Sequence, residues 1–231
     1  MRIEEVATQP IAGQKPGTSG LRATTDVFRG PRYLENYVQS VFDGIGGVQG
    51  ATLTLGGDGR FFCDDAIQII LRMAAANGAR KVFVGEDGLQ STPATSAAIR
   101  ALGADGGIIL SASHNPGGPK GDFGLKYNIA NGGPAPERVT DAIYARTGAI
   151  DRYRIAEGVD PVDLSVRGDT KIGEMVVEVF DGVALYADLM ADLFDFDAIR
   201  RLFAGGFTMA FDAMHAVTGP YAIILRISSG A

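Results

Sequence analysis

Short apolar runs alternate with amphipathic segments along the middle of the chain. Three of these runs have the length and composition of buried strands, at residues 51–55, 81–84 and 107–110. Between the first two, apolar side chains recur at the spacing of one helical face: Ile67, Ile70, Leu71 and Ala74. This spacing predicts a helix over residues 64–77. A second helix is predicted from Thr92-Pro93 to about Leu102, because proline suits the first turn of a helix.

Strands that alternate with helices in this way indicate an α/β fold, namely a three-layer α/β/α sandwich around a mainly parallel mixed sheet. We expect Leu125-Lys126-Tyr127 to return as a short edge strand of that sheet. In sheets of this kind, ligands bind beyond the carboxyl ends of the strands. Ser113 follows the run at 107–110, so we expect it at one such end.

The later part of the chain has weaker periodicity. We expect a helix over 134–146, a polar irregular stretch over 149–170 and a strand over 175–180. The pattern then predicts a helix over 181–194, a short helix over 197–203, a strand over 207–211 and a helix start near Thr218. A boundary near 181–185 would separate a first domain, residues 1–181, from the incomplete start of a second, similar domain, residues 182–231. The second unit has too few residues for a sheet of its own, so we expect an interrupted chain.

Composition narrows the classes of function. The chain has 231 residues and a formal net charge of −6, with 46% hydrophobic and 21% charged residues. These values support a packed core and disfavour nucleic-acid binding, which needs a basic surface. Because no apolar run can cross a bilayer and no signal peptide opens the chain, we expect a cytoplasmic protein without a membrane partner. The one cysteine, Cys63, opens a predicted helix and is expected to be a packed thiol.

The clearest chemical signal is the segment Ser113-His114-Asn115-Pro116, which follows the third predicted strand. A serine hydroxyl is a weak nucleophile and needs a base or a metal ion. If phosphorylated, it would carry about −1.5 to −2 charges and call for nearby cations. Between residues 111 and 128, three basic side chains accompany one acid: His114, Lys120, Lys126 and Asp122. On residue types alone, a structural serine turn with a histidine on the backbone explains the segment equally well.

Residues 107–116 resemble the phosphoserine signature of the α-D-phosphohexomutases. Three further segments resemble the phosphoglucomutase branch of that family: Lys15-Pro16-Gly17-Thr18-Ser19-Gly20-Leu21-Arg22, Gly56-Gly57-Asp58-Gly59-Arg60-Phe61, and Phe123-Gly124-Leu125-Lys126-Tyr127-Asn128 with 131–137 after it. Shorter matches follow at Phe194-Asp195-Phe196, at Asp212-Ala213-Met214-His215 and at Gly219-Pro220-Tyr221. The motifs occur in the family's order, which is a far stronger signal than any one of them.

The resemblance implies three catalytic residues. Ser113 would be the phosphoserine that gives its phosphate to the sugar and takes one back. Its phosphate would also bind Mg²⁺, which makes Ser113 the implied metal ligand. His114 would orient the transfer, and Lys126 would act near the transferring oxygen as a general acid/base or as a stabiliser of charge.

The resemblance also implies a hexose phosphate substrate and the interconversion of glucose 1-phosphate and glucose 6-phosphate. One phosphate would leave the serine for the sugar, and glucose 1,6-bisphosphate would turn over and return the other. Arg22 would contact the phosphorylated sugar, since a guanidinium fork suits phosphate. Thr18 and Ser19 would form a phosphate-facing loop of the substrate site, although they lack the residue order of a nucleotide P-loop.

Three other features have structural interpretations. Residues 56–60 contain one acid, too few for a divalent-ion loop, so we interpret them as a strand-end turn, with Arg60 facing the phosphoserine as a lesser alternative. Gly44-Ile45-Gly46-Gly47 lacks the spacing of a dinucleotide site. We expect His215 to be packed or capping rather than a ligand.

The sequence departs from the family pattern after about residue 225. The family's Asp-Gly-Asp-x-Asp magnesium loop, its sugar-selecting loop and its C-terminal phosphate-binding domain are not in the sequence. A lone phosphate should therefore bind Mg²⁺ weakly. Two hypotheses stay open: the chain is part of an active phosphoglucomutase, or it is a truncated, catalytically inactive phosphate-accepting or interaction domain.

Overall fold

The computed structural model describes residues 1–17, 19–222 and 224. The described residues form nine strands and seven helices. The strands are β1 (Arg2–Ala7), β2 (Leu21–Thr24), β3 (Thr52–Gly57), β4 (Lys81–Leu89), β5 (Gly106–Leu110), β6 (Asp122–Ile129), β7 (Arg152–Glu157), β8 (Gly168–Ile172) and β9 (Met175–Phe180). The helices are α1 (Thr25–Phe28), α2 (Tyr33–Gly44), α3 (Cys63–Ala76), α4 (Thr92–Ala101), α5 (Glu137–Thr147), α6 (Gly182–Leu193) and α7 (Phe196–Ala204).

Seven strands form one sheet in the order β2-β6-β5-β3-β4-β9-β8. The central strand β3 pairs in parallel with β4 and β5, and β4 pairs in parallel with β9. Strands β6 and β8 are antiparallel to their neighbours. The sheet is therefore mixed with a parallel middle, as the alternation of strands and helices predicted. The carboxyl ends of β3, β4 and β5 lie at the same edge.

Helices cover both faces of this sheet. On one face α3 packs on β3 and β4, with α2 and α5 beside it; on the other, α4 packs on β3 and β5, with α6 outside it. Leu53 and Leu55 belong to the core beneath α3, and Thr54 points the other way. A Cβ on Gly107, which pairs with Thr54, would lie 2.1 Å from the threonine Oγ1 and 2.9 Å from Cδ1 of Ile99 in α4. Glycine at 107 therefore lets α4 approach the sheet closely.

A separate two-stranded sheet pairs β1 with β7 in antiparallel register and packs on α3. The prediction that 149–170 is irregular is wrong, because β7 and most of β8 fall in this stretch. In β7 the buried Tyr153 and Ile155 alternate with exposed Arg152 and Arg154, and Arg152 pairs with Glu5 of β1. The outer face of this strand is charged, which masked its alternation in the sequence.

The return strand near Lys126 is longer and more central than predicted. It is β6, eight residues long, and it lies between β5 and β2 rather than at the edge. The edge position belongs to β2, which has only four residues. A strand that short carries no periodic signal, so the sequence did not predict the partner that places β6 inside the sheet.

The helices predicted over 181–194 and 197–203 are confirmed as α6 and α7, each with an aspartate at its N-cap, Asp181 and Asp195. The strand predicted over 207–211 does not form. Instead, several large apolar side chains in this part of the chain are exposed: Leu193, Phe194, Leu202, Phe207, Met209, Phe211 and Met214. Residues 217–221, near which a helix start is predicted, are turns, and helical conformation follows at Ala222 and Ile224. The boundary near residue 181 stays a prediction. Within the described ranges, every helix is too short or too polar to cross a membrane.

Candidate active site

The loop that carries Ser113 begins where β5 ends. Beyond Leu110, the N–H of Ser111 still bonds the carbonyl of Gly124 in β6, at 2.9 Å. The side chain of Ser111 then accepts the N–H of Ser113 at 3.0 Å. Ser113 itself has φ +59°, the left-handed conformation that non-glycine residues adopt at a steric cost. The turn therefore directs Ser113 out of the sheet edge, and its side chain is exposed.

Arg60 holds this loop from below. Its guanidinium donates to the carbonyl of Ser113 at 3.1 Å and to the carbonyl of Asp122 at 2.6 Å. Nε and Nη2 of the same guanidinium donate to the two carboxylate oxygens of Asp58, at 2.8 to 3.0 Å. The Asp58 N–H bonds the carbonyl of Leu110, which ties the pair to the end of β5. Because this arginine side chain is only 7% exposed and binds Asp58 as well as two backbone carbonyl groups, it fixes the backbone of the serine loop.

A second set of bonds closes the loop. Asn115 Nδ2 donates to Asp122 Oδ2 at 2.7 Å, and the Asp122 N–H bonds the carbonyl of Pro116 at 2.8 Å. Thr25 Oγ1 lies 3.1 Å from the carbonyl oxygens of both Gly118 and Gly121. The serine thus projects from a loop whose backbone is bonded at both ends.

His114 lies beside the serine, as predicted. Its Nδ1 is 3.4 Å from Ser113 Oγ, a long contact whose direction depends on the imidazole tautomer. Both side chains are exposed. An imidazole at this distance can take or return the serine proton once a ligand shortens the contact.

Lys126 and Arg22 project from neighbouring strands on one face of the sheet. Arg22 of β2 is directly opposite Gly124 of β6, so it shares a face with Lys126 two residues further on. Gly124 is required here, because a Cβ would lie 2.4 Å from the carbonyl oxygen of Ser111. Lys126 Nζ donates to Thr92 Oγ1 of α4 at 2.9 Å. Burial of the lysine and, secondly, the charge of Arg22 lower its pKa, while the charge of Asp58 acts in the opposite direction.

The predicted phosphate-facing loop lies against the same strand. Gly17 and Gly20 bond each other in both directions, at 3.0 and 3.1 Å, and Ser19 is exposed on the turn between them. Gly20 has φ +84°, and a Cβ there would lie 2.5 Å from Cβ of Lys126. Ser19 is therefore close to the base of Lys126. Thr18 lies outside the described residues.

An open cleft of about 810 Å³ lies above the serine. Ser113 and His114 line it together with Asp58 and with Ser91 and Thr92 at the start of α4. Residues 214–218 form the opposite wall. Of the described residues, the lining does not include Arg22, Ser19 or Lys126. Lys126 is connected to the edge of the cleft by its hydrogen bond to Thr92, which does line it.

His215 is expected to be packed or capping rather than a ligand, and the structure shows that it is not packed. It is exposed, lines the wall of the cleft opposite Ser113, and has φ +61° directly after Met214 at φ +48°. Tyr221 secures this wall, since its hydroxyl accepts the N–H of Ser91 at 3.0 Å and its ring packs edge-on against Tyr186.

Cys63 lies beneath the loop as the packed thiol that was predicted. It is 2% exposed, and burial raises its pKa to about 12. Its Sγ is 3.9 Å from the carbonyl oxygen of Leu110. The thiol is thus a packing group under the site and not a reacting one.

The described chain does not complete a metal site on its own. No group of three or more His, Cys, Asp or Glu side chains with the geometry to hold a metal occurs within residues 1–17, 19–222 and 224. The acid that lines the cleft, Asp58, is bound to Arg60, and Asp122 in the loop behind it is bound to Asn115. A phosphate on Ser113 would be the oxygen donor that this part of the chain offers to Mg²⁺.

Sequence reasoning found Ser113, His114 and Lys126 but not the groups that hold them. The sequence predicts residues 56–60 as a strand-end turn because one acid is too few for a divalent-ion loop, and it does not predict the Asp58–Arg60 pair. Thr92 was seen only as a helix start. Its position next to proline at the beginning of α4, at the carboxyl edge of the sheet, is the signal that could have pointed to it.

Comparison with known proteins connects this geometry to a family. The family model for phosphoglucomutase/phosphomannomutase, alpha/beta/alpha domain I, matches residues 13–154. The phosphoglucomutase of Rhizobium radiobacter is 56% identical over 230 residues, which are 99% of this chain and 42% of that protein. Phosphoglucomutase, cytoplasmic 1, of Zea mays is 52% identical over an alignment of 233 positions that covers 95% of this chain and 40% of that protein.

A solved structure shows the same fold. The phosphoglucomutase pp63/parafusin from Paramecium, in its open form, superposes with a TM-score of 0.91 and 43% identity, over 98% of this chain and 43% of that chain. The chain thus spans about two fifths of the length of the curated relatives it matches.

Proposed function

Because the chain belongs to the phosphoglucomutase/phosphomannomutase family, through its domain I, we propose that it contributes the phosphoserine half of an active site that interconverts glucose 1-phosphate and glucose 6-phosphate. The observation that carries the proposal is the exposed Ser113. It stands on a bonded, left-handed turn at the carboxyl edge of the sheet, with His114 against it and an open cleft above it. A serine that served only as a turn would have no need of that cleft.

The reaction is a pair of phosphoryl exchanges. In the first, the phosphoserine gives its phosphoryl group to a free hydroxyl of the hexose phosphate, and the proton of that hydroxyl ends on Ser113 Oγ. In the second, the other phosphate of glucose 1,6-bisphosphate moves to Ser113 and its sugar oxygen takes the proton back. Charge neutralisation and positioning dominate such transfers. His114 Nδ1 is placed to hold the proton at the serine oxygen, and the fixed turn keeps that oxygen at the cleft.

Lys126 and Arg22 supply the positive charge. They share a sheet face, neither is paired with a carboxylate among the described residues, and the lowered pKa of Lys126 suits it to exchange a proton as well as to attract phosphate. Ser19 extends this basic face along the loop that leans on β6, and Thr18 is assigned with it by the motif alone. The hexose phosphate would lie between this face and the serine.

Mg²⁺ and glucose 1,6-bisphosphate belong to the proposal through family membership. The ion would bind the phosphate of Ser113, since the described residues include no group of three or more His, Cys, Asp or Glu side chains that could hold it. We place the protein in the cytoplasm, in keeping with the relative from Zea mays whose name says so. No step above depends on the ion.

The second candidate is a phosphate-accepting or interaction domain without turnover. It is favoured by one observation: Asp58, the acid that lines the cleft, is engaged with Arg60 rather than free to bind a metal. In that case the chain would take phosphate on Ser113 and return none.

Two measurements separate the candidates. The first incubates the chain with Mg²⁺ and glucose 1,6-bisphosphate and follows one added phosphate by intact mass, with Ser113→Ala as the control. The second is a coupled assay of glucose 6-phosphate formation from glucose 1-phosphate with the bisphosphate present. Both candidates predict phosphate uptake that Ser113→Ala abolishes. Turnover in addition supports the mutase, and its absence means that this chain alone accepts phosphate without completing the cycle. No uptake at all refutes both.

A further inference from the structure

We propose that Thr92 is a positioning residue for Lys126, holding its ammonium group at the edge of the cleft with a neutral hydroxyl. This inference rests on the proposed function only for the role of the lysine in phosphoryl transfer. The contact itself is a structural one, Nζ to Oγ1 at 2.9 Å. Thr92 would touch neither the serine nor the sugar and would act through the lysine.

The place of Thr92 is fixed by the start of α4. Ser91 is the N-cap, with its Oγ accepting the N–H of Ala94 at 3.3 Å, and Pro93 occupies the first turn. Thr95 Oγ1 bonds back to the carbonyl of Ser91 at 3.1 Å. Since α4 also packs on β3 and β5, the hydroxyl of Thr92 has a fixed position relative to the sheet.

Lys126 needs such an anchor because its side chain has four rotatable bonds and one ammonium group with three donors. Within residues 1–17, 19–222 and 224, Lys126 Nζ donates its hydrogen bond to Thr92 Oγ1. One donor is thereby used, and two are left for phosphate oxygens. The nearby carboxylate of Asp58 is already bound by Arg60.

The hydroxyl of Thr92 carries no charge, so it holds the ammonium group of Lys126 without neutralising it. A carboxylate at position 92 would hold the ammonium equally well, but it would cancel its charge and favour its protonated form. A hydroxyl holds the group and leaves the charge for a phosphate. The charged groups that act on the lysine are then Arg22 from β2, which lowers its pKa, and Asp58 from the turn after β3, which raises it.

The test compares Thr92→Val, which removes the hydroxyl at nearly constant shape, with Thr92→Ser, which keeps it. Thr170→Val is the control, because it makes the same change at an exposed position of β8, which lies at the sheet edge away from β6. Titration of the ¹³Cε resonances of labelled lysine reports Lys126, assigned with Lys126→Arg, without any need for activity. We expect Thr92→Val to shift the titration of Lys126 to lower pH, because an acceptor of the charged form is lost, and the other two variants to leave it in place. An unshifted titration in Thr92→Val overturns the inference.

Phosphate uptake by Ser113 from glucose 1,6-bisphosphate gives an independent result. We expect Thr92→Val to lower the rate at saturating bisphosphate about tenfold, the effect of one hydrogen bond, with little change in the half-saturating concentration. Thr92→Ser should restore the rate. If the native chain takes up no phosphate while the titration shifts as expected, the proposed function fails and the anchoring of Lys126 stands. A rate in Thr92→Val equal to that of the native chain refutes the positioning role.

Discussion

Replacing Arg60 by methionine removes the clamp under the serine loop while keeping an apolar stem of similar length. The change leaves the Asp58 carboxylate, which is 14% exposed, without its ion partner, and it leaves the carbonyl groups of Ser113 and Asp122 without their donor. Breaking a buried ion pair from one side costs about 3–5 kcal/mol. Because Asp58 retains some contact with water, we expect the lower end, about 3 kcal/mol, for Arg60→Met.

A double-mutant cycle separates the charge effect from the loss of packing. Asp58→Asn removes the stranded charge, so Asp58→Asn with Arg60→Met should be less unstable than the sum of the single changes, by about 1–2 kcal/mol. Arg72→Met is the control, since the Arg72–Glu157 pair is 30% and 37% exposed. An exposed pair of that kind contributes about 0.2–1 kcal/mol.

The assay is urea unfolding followed by circular dichroism, with the midpoint compared at constant slope. The reasoning is refuted if Arg60→Met costs no more than Arg72→Met, or if the double variant loses the full sum of the two single changes. Either result would mean that the guanidinium contributes no more than a surface arginine and that the loop is held by its other bonds.

Three further predictions concern groups around the site. Gln90 is 1% exposed and neither polar atom of its amide has a hydrogen-bond partner. Gln90→Leu should therefore raise the free energy of unfolding in urea by about 1 kcal/mol, and a lower value would show that the amide is bonded. Cys63 should not react with a thiol reagent at pH 8 until the chain unfolds, because burial raises its pKa from 9.0 to about 12, and rapid labelling of the folded chain would contradict that burial. Above pH 9 the thiol of the unfolded chain loses a proton that the folded chain keeps, so the free energy of unfolding falls as the pH rises. Amide hydrogens over 182–222 should exchange faster than those over 64–110, because few side chains beyond α6 are buried, and equal protection would show that the exposed apolar groups are covered.

The parallel middle of the sheet was predictable because each of its parts has a strong local period. The strands β3, β4 and β5 are apolar runs, and α3 and α4 carry one-sided apolar faces. The antiparallel additions were not predictable in the same way. β2 has only four residues, and β7 presents arginines to solvent, so their pairing depends on distant partners rather than on their own sequence.

At residues 207–211 the sequence predicts a strand that the structure does not contain. Phe207, Met209 and Phe211 alternate with smaller residues there, as in a strand. These side chains are exposed, and no neighbouring strand pairs with the segment among the described residues. Alternation predicts what a segment can bury, but a strand also needs hydrogen bonds from a partner.

For the site, the sequence supplied Ser113 and His114 through their adjacency, and the family motifs added Lys126 and Arg22. The contacts of Arg60 and Thr92 were out of reach. Each joins elements far apart in the chain, and a hydrogen bond between a loop and a helix start leaves no periodic trace.

The antiparallel pairing of β6 with β5 has a consequence for the relative positions of Ser113 and Lys126. The serine leaves the sheet at the end of β5, and the lysine enters it on the next strand, paired to β5 residue for residue. Ser113 and Lys126 therefore belong to one hairpin-like unit of paired strands, so the distance between them does not depend on the wall formed by residues 214–218.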